Sequence, residues 1–164
     1  MKCPNCGKKL SKDSAFCGQC GKQISKDGGL LEEIADKITN HLEFLGYKVT
    51  TNNDDKGNIS INAINQNKNN LFIRIIKNGI TVVAFFTVDK DKAEKNKSKL
   101  LEAINKMNNQ ALLTSFSMSE DFKSIVCGTW YPLVYNKESF GNFIDLFAND
   151  INIRFSGNNI SELV

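Results

Sequence analysis

The chain's pattern predicts an α+β fold, a mostly antiparallel sheet with helices packed on it, preceded by a small cysteine-bearing module. Three observations carry this. Apolar spacing changes from steps of three and four to steps of two and back along residues 30–151, as when helices give way to strands and return. Asn78-Gly79 stands between two apolar runs, the strongest hairpin signal in the chain. The strands fall into consecutive groups, in the order α-βββ-α-ββ-α, so neighbours pair through hairpins.

The elements follow in order. Leu31, Ile34, Ala35, Ile38, Leu42 and Leu45 mark an amphipathic helix from Leu30 that Gly46 can end. Ile59, Ile61 and Ala63 alternate with Ser60 and Asn62 as a strand with one wet face should. Leu71–Ile76 is a second strand, and Ile80–Val88 is nearly continuous in apolar residues, as a strand buried on both faces would be. A helix is expected from about Asp91 to Asn108, with Ala93, Leu100, Leu101, Ile104 and Met107 inward. Strands at Ala111–Met118, where Leu112, Thr114, Phe116 and Met118 share a face, and at Ser124–Tyr135 come next. A last helix, Lys137 to Asp150, lines up Phe140, Phe143, Ile144, Phe147 and Ile151. Trp130 and Tyr131 fall on opposite faces of their strand, so one ring is expected in the core and the other near the surface.

Ahead of this domain, Cys3, Cys6, Cys17 and Cys20 are spaced C-x2-C, ten residues, C-x2-C. Four thiolates at that spacing can surround one ion tetrahedrally, and Gly7 and Gly21, one after each pair, can take the positive φ that turns backbone N–H groups towards sulfur. The expected ion is one structural Zn2+, since sulfur fills all four places and leaves none open for water. A disulfide framework is set aside because no apolar leader stretch precedes Cys3. A redox C-x-x-C needs a βαβ setting that this stretch is too short to hold. A rubredoxin-type iron site would carry a longer insert than Lys8–Phe16. A module of two dozen residues buries too little to fold alone, so the metal would supply its folding free energy. The expected boundaries are a ribbon at 1–24, a linker at 25–29 (SKDGG), the main domain at 30–151 and a tail at 152–164.

Composition bounds the rest. The 164 residues are 41% hydrophobic and 24% charged, ordinary for one globular domain with a small appendage, and the apolar run Ile80–Val88 is far short of the ~18 residues of a membrane span. The formal charge of +3 counts cysteines as neutral thiols, and four thiolates around one Zn2+ bring it to about +1. There is no strong field for nucleic acid or an anionic membrane. Only Arg74 and Arg154 are arginines, so bidentate recognition of phosphate or guanine has little to work with. Lys90, Lys92, Lys95, Lys97 and Lys99 are interleaved with Asp89, Asp91 and Glu94 and read as a solvated helix face.

The stretch CPNCGKKL, the insert SKDSAF and then CGQCGKQI resembles the short zinc-ribbon module found at the N-terminus of many bacterial and archaeal proteins, with Gly18 where proline is common. Further on, GNISINAINQ, GITVVAFFTV, LLEAINKMNNQALLTSFSM and SFGNFIDLF, in that order, resemble the YbjN family, whose members share the fold of class I type III secretion chaperones. The I-N-x-M-N step from Ile104 to Asn108 is the most telling piece. The resemblance implies a fold that pairs as a homodimer and holds extended polypeptide, and the chain reads as a cytoplasmic, bacterial protein. It brings no motif of binding residues.

Groups for catalysis are sparse. His41 is the only histidine and sits beside an apolar stripe, which fits a boundary residue. Cys127 alternates with Ile125 and Thr129 and reads as an inert buried thiol. Asp54-Asp55 lies in an Asn/Gly-rich turn, and no nucleophile elbow, phosphate loop or zinc-protease motif occurs. The sequence therefore reads as a non-enzymatic zinc-binding protein with no catalytic residues, whose chaperone-like domain binds a protein or peptide. The alternative is a nucleic-acid-associated regulator touching phosphate through Lys2, Lys8, Lys9, Lys12 and Lys22.

Overall fold

The computed structural model describes residues 2–3, 5–11, 14, 16–22 and 26–163, with the backbone alone at 26–28. Met1 and Ile24 at the expected ribbon ends, Lys12 among its lysines, Ser25 of the expected linker and Val164 of the tail lie outside the described residues. After the ribbon come α1 (Lys26–Phe44), β1 (Lys48–Asn53), β2 (Ile59–Ile64), β3 (Leu71–Ile76), β4 (Gly79–Thr87), α2 (Lys90–Lys95), α3 (Lys97–Gln110), β5 (Ser115–Met118), β6 (Ser124–Tyr131), α4 (Lys137–Gly157) and α5 (Ile160–Leu163). The six strands form one sheet in the order β1-β2-β3-β4-β6-β5, antiparallel throughout. This is the expected α+β class with the expected order inside it.

The additions and shifts have physical reasons. β1 reads KVTTNN, with one apolar residue; as an edge strand it needs no alternation, and β-branched Val49, Thr50 and Thr51 suit a pleat. α1 begins at Lys26, so Gly28-Gly29, expected in a linker, lie in its first turn. The buried stripe Leu31, Ile34, Ala35, Ile38 and Leu42 anchors that helix, which extends N-terminally although each glycine weakens it by about 1 kcal/mol. The expected second helix is two. Asp89 caps α2 by accepting from the Lys92 N–H, and at Asn96 the backbone leaves helical geometry while its side chain donates to the Lys92 carbonyl. The turn this introduces leaves Leu101 44% exposed instead of inward.

The expected strand from Ala111 shrinks to β5 because the N–H groups of Leu112, Leu113 and Thr114 all donate to one carboxylate oxygen of Asp150, at 3.1, 3.0 and 3.0 Å. They cannot also serve a ladder, and Leu112 projects outward. β6 stops at Tyr131, since Pro132 has no N–H to donate. α4, capped by the Asn136 side chain accepting from Ser139 N–H, runs through Gly157. Its Phe155 ring packs on Phe86 at 4.8 Å, and Ile160 of α5 is buried, so the expected tail is part of the core.

One side of the sheet carries the core. Ile61, Ile73, Ile80, Val82, Ile125 and Cys127 are fully buried there with Ile38 and Leu42 of α1, Leu100 and Met107 of α3, and Phe140, Phe147 and Ile151 of α4. The other side is open. β4 was expected to be buried on both faces, but Phe85, pointing away from Ala84, is 56% exposed. Tyr131 packs on Phe140 and Phe143 in the core, while Trp130 on the open side is 55% exposed and lies across Gly79, where any side chain would collide with its indole.

Candidate metal centre

The two cysteine hairpins are built alike. In the first, the Cys3 N–H donates to the Lys8 carbonyl at 2.8 Å and the Gly7 N–H to the Cys3 carbonyl at 2.9 Å; in the second, Cys17 N–H reaches Lys22 and Gly21 N–H reaches Cys17, both at 2.8 Å. Each chain reversal needs a left-handed residue, supplied by Gly7 (φ 72°) and Gly21 (φ 66°). An isolated bridge between Lys2 and Lys9 closes the first hairpin, and Leu10 packs against the buried Cys3 and Cys17.

These hairpins bring the four sulfurs within 4.8 Å of one another, with Cys3 and Cys17 buried and Cys6 and Cys20 exposed. Crosswise pairs are closest, Cys3 Sγ to Cys20 Sγ at 3.6 Å and Cys6 Sγ to Cys17 Sγ at 3.5 Å. The electrostatics fit a cation. Contact with the Asn5 side chain and the Lys22 N–H draws Cys20 down to about 6, and the Gln19 and Cys20 N–H groups lower Cys17. At Cys6 the Lys8 N–H acts the same way, but burial and hydrogen bonds from the other thiols outweigh it and leave the group at about 12. Without a positive ion, so tight a cluster cannot ionise completely; with one, four thiolates become stable together. The donor set, all sulfur and closed, fits one structural zinc ion.

Elsewhere the sequence-marked residues fall into structural roles. His41 is 7% exposed, its Nδ1 lies 3.0 Å from the Tyr135 hydroxyl, and its ring meets Phe140 edge-on. Burial, then the nearby Lys137 charge, push its pKa below the usual imidazole value. Cys127 is fully buried in β6 and desolvation raises its thiol to about 12, so it is unreactive. Asp54 accepts from the Asn58 side chain, from the Asn58 and Lys56 N–H groups and from Arg74, contacts that hold it at about 2 and make it the organiser of its turn. The lysines of α2 and the start of α3 are solvent-facing except in ties such as Lys90–Glu94. Lys2, Lys8, Lys9 and Lys22 of the ribbon are exposed, as is Phe16.

Two residues matter more than their sequence context suggested. Asn108, inside the I-N-x-M-N step, turns its side-chain amide onto β5: Phe116 N–H donates to its Oδ1 at 2.7 Å and its Nδ2 donates to the Phe116 carbonyl at 2.9 Å. It thus mimics a neighbouring strand and closes that sheet edge. Asp150, 5% exposed, gathers the three N–H groups after α3 and also accepts from Arg154 Nε at 3.2 Å. An acid in the middle of a Phe-rich helical stripe was the available signal.

Residues 2–24 match the family model of the zinc-ribbon domain. Among solved structures, the chain is similar to YbjN from E. coli, described there as a candidate transcription regulator, with 17% identity over 79% of this chain and 93% of that one and a TM-score of 0.54. It is also similar to an uncharacterized protein from Methanothermobacter thermautotrophicus, with 10% identity over 78% of this chain and 98% of that one and a TM-score of 0.53. No curated protein matches the chain. The protein is a zinc ribbon followed by a domain with the YbjN fold. Among the described residues, no helix is long and apolar enough to cross a membrane.

Proposed function

We propose that this is a non-enzymatic cytoplasmic protein in which Cys3, Cys6, Cys17 and Cys20 hold one structural zinc ion and the sheet domain binds an extended segment of another protein. The observation that carries the reading is the inequality of the two sheet edges. β5 is closed by Asn108, whereas the outer side of β1 has no strand or side chain paired with it among the described residues. A six-residue strand paired on one edge alone leaves the outward N–H and C=O groups of alternate residues as a template for strand addition, in which main-chain hydrogen bonds give affinity and alternate side chains give selectivity. Five cysteines, none in a disulfide, suit a compartment that keeps thiols reduced.

Proline scanning of β1 against a library of extended peptides tests this. Proline at positions whose N–H points outward should abolish binding without lowering the melting temperature, and binding should slow amide exchange at those positions. Peptides that bind equally well to every proline variant would remove the reading.

A second reading rests on the exposed ribbon lysines and on the description of YbjN: a nucleic-acid-associated regulator. It requires an affinity that falls linearly with salt on logarithmic axes, with a slope that Lys8→Ala and Lys9→Ala flatten.

A further inference from the structure

We propose that the cavity between the 65–70 loop and α4 is a binding site for a zwitterionic α-amino acid with an apolar side chain. This goes beyond peptide binding at β1 and does not rest on it.

The cavity, about 510 Å³, falls within the ~300–1,000 Å³ of small-molecule sites. Its walls are held in place by specific bonds. The asparagine-rich loop joining β2 to β3 ties itself to the chain after α1: Asn65 Nδ2 donates to the Gly46 carbonyl at 2.8 Å, Asn65 N–H to Asn70 Oδ1 at 3.0 Å and Asn67 N–H to Asn65 Oδ1 at 2.8 Å. Buried Leu71, Ile144 and Phe147 give the cavity an apolar floor. Tyr47, itself buried, is fixed along one wall because its hydroxyl donates to the Asn69 carbonyl at 3.2 Å.

Two opposite charges line this space. On the loop, Lys68 Nζ donates to the Leu45 carbonyl at 3.2 Å and stands 5.8 Å from the centre of the Tyr47 ring, which leaves ammonium hydrogens to spare. On α4, the Asp145 carboxylate has no ion pair or hydrogen bond among the described residues. Its charge nonetheless bears on Tyr47, whose phenol is raised by burial first and by Asp145 second. Cation and anion thus border the same ring without pairing with each other.

Those charges select the ligand. A phosphate needs more than one cation, and here it would meet Asp145 and the partially negative C-terminal end of α1. A plain carboxylate meets the same repulsion, and a plain amine meets Lys68. An internal peptide segment carries neither charge on its main chain, which separates this site from strand addition at β1. An α-amino acid brings both charges on one carbon: ammonium to Asp145 and carboxylate to Lys68, each a charge-assisted contact, while its side chain covers the floor.

Titration calorimetry of the zinc-loaded full chain with L-leucine and L-phenylalanine tests this, beside 4-methylpentanoate and 3-methylbutylamine, which keep the apolar body of leucine and drop one charge each. At least one amino acid should bind with a Kd below about 1 mM and raise the melting temperature of the sheet domain. Each single-charge analogue should bind roughly 10-fold more weakly or worse than leucine. Asp145→Asn and Lys68→Met should each cost about 10-fold or more in amino-acid affinity, while Asp145→Asn should bind 4-methylpentanoate no worse than the parent does. Lys68 also ties down the end of α1, so its variant is judged on affinity and not on melting temperature. Glu138→Gln, exposed on α4 outside the cavity, should change nothing. Failure of both amino acids to bind, analogues that bind as tightly as leucine, or cavity variants that bind like the parent would each overturn the proposal.

Discussion

The ribbon and the sheet domain solve the same problem, holding a chain in one shape, by opposite means. In the ribbon, four sulfurs within 4.8 Å of one another do nearly all of it, and the buried apolar support is Leu10 beside Cys3 and Cys17. In the sheet domain, dozens of modest contacts share the task, from Ile38 on α1 through Val82 on β4 to Ile151 on α4. Removing a ribbon ligand is therefore all-or-none, whereas the sheet domain should decline by steps. Concentrated and distributed stabilisation also leave different marks in a sequence, one as spacing and the other as periodicity.

The sharpest break is metal removal. Structural zinc contributes an apparent ~10–16 kcal/mol to small modules of this kind, so chelation or Cys3→Ser should unfold the ribbon entirely. The cooperative melting of the sheet domain should survive with little change, because no ligand comes from it. Metal analysis together with calorimetry checks both halves, and joint collapse of the two transitions would refute the separation.

Asp150→Ala probes the opposite case. It strips the shared acceptor from the N–H groups of Leu112, Leu113 and Thr114 and leaves Arg154 beside an empty place, which should cost about 3–5 kcal/mol of sheet-domain stability. Zinc stoichiometry should stay at one. A variant as stable as the parent would show that the loop after α3 holds itself without the carboxylate.

The smallest effect is a pH slope. Because His41 has a lower pKa folded than unfolded, the unfolded chain takes up its proton first as pH falls below the usual value near 6.5. Stability from this group is complete above that pH and is lost as pH falls towards the folded pKa. His41→Asn should flatten the melting-temperature profile of the sheet domain in that window and leave metal content untouched. An unaltered profile would mean that another group sets it.

The sequence by itself determined the metal centre, because a tetrahedral thiolate site depends on local spacing and needs nothing from the remainder of the chain. It also determined the class of the main domain and the identity of its inward Phe stripe, since helix and strand periods are local. Asn108 stood in a stretch that was legible as a motif while its action was not, because the Phe116 backbone it serves lies eight residues away on another element. Only the tertiary structure decided that Phe85 faces water and Ala84 the core: an apolar run looks the same whether one face or two are covered, and the second face depends on where α1, α3 and α4 settle. The same holds for β1, made a strand by the edge it joins, and for Ile160, made core by the packing of α4. Those outcomes rest on contacts between residues far apart in the chain, which no local pattern encodes.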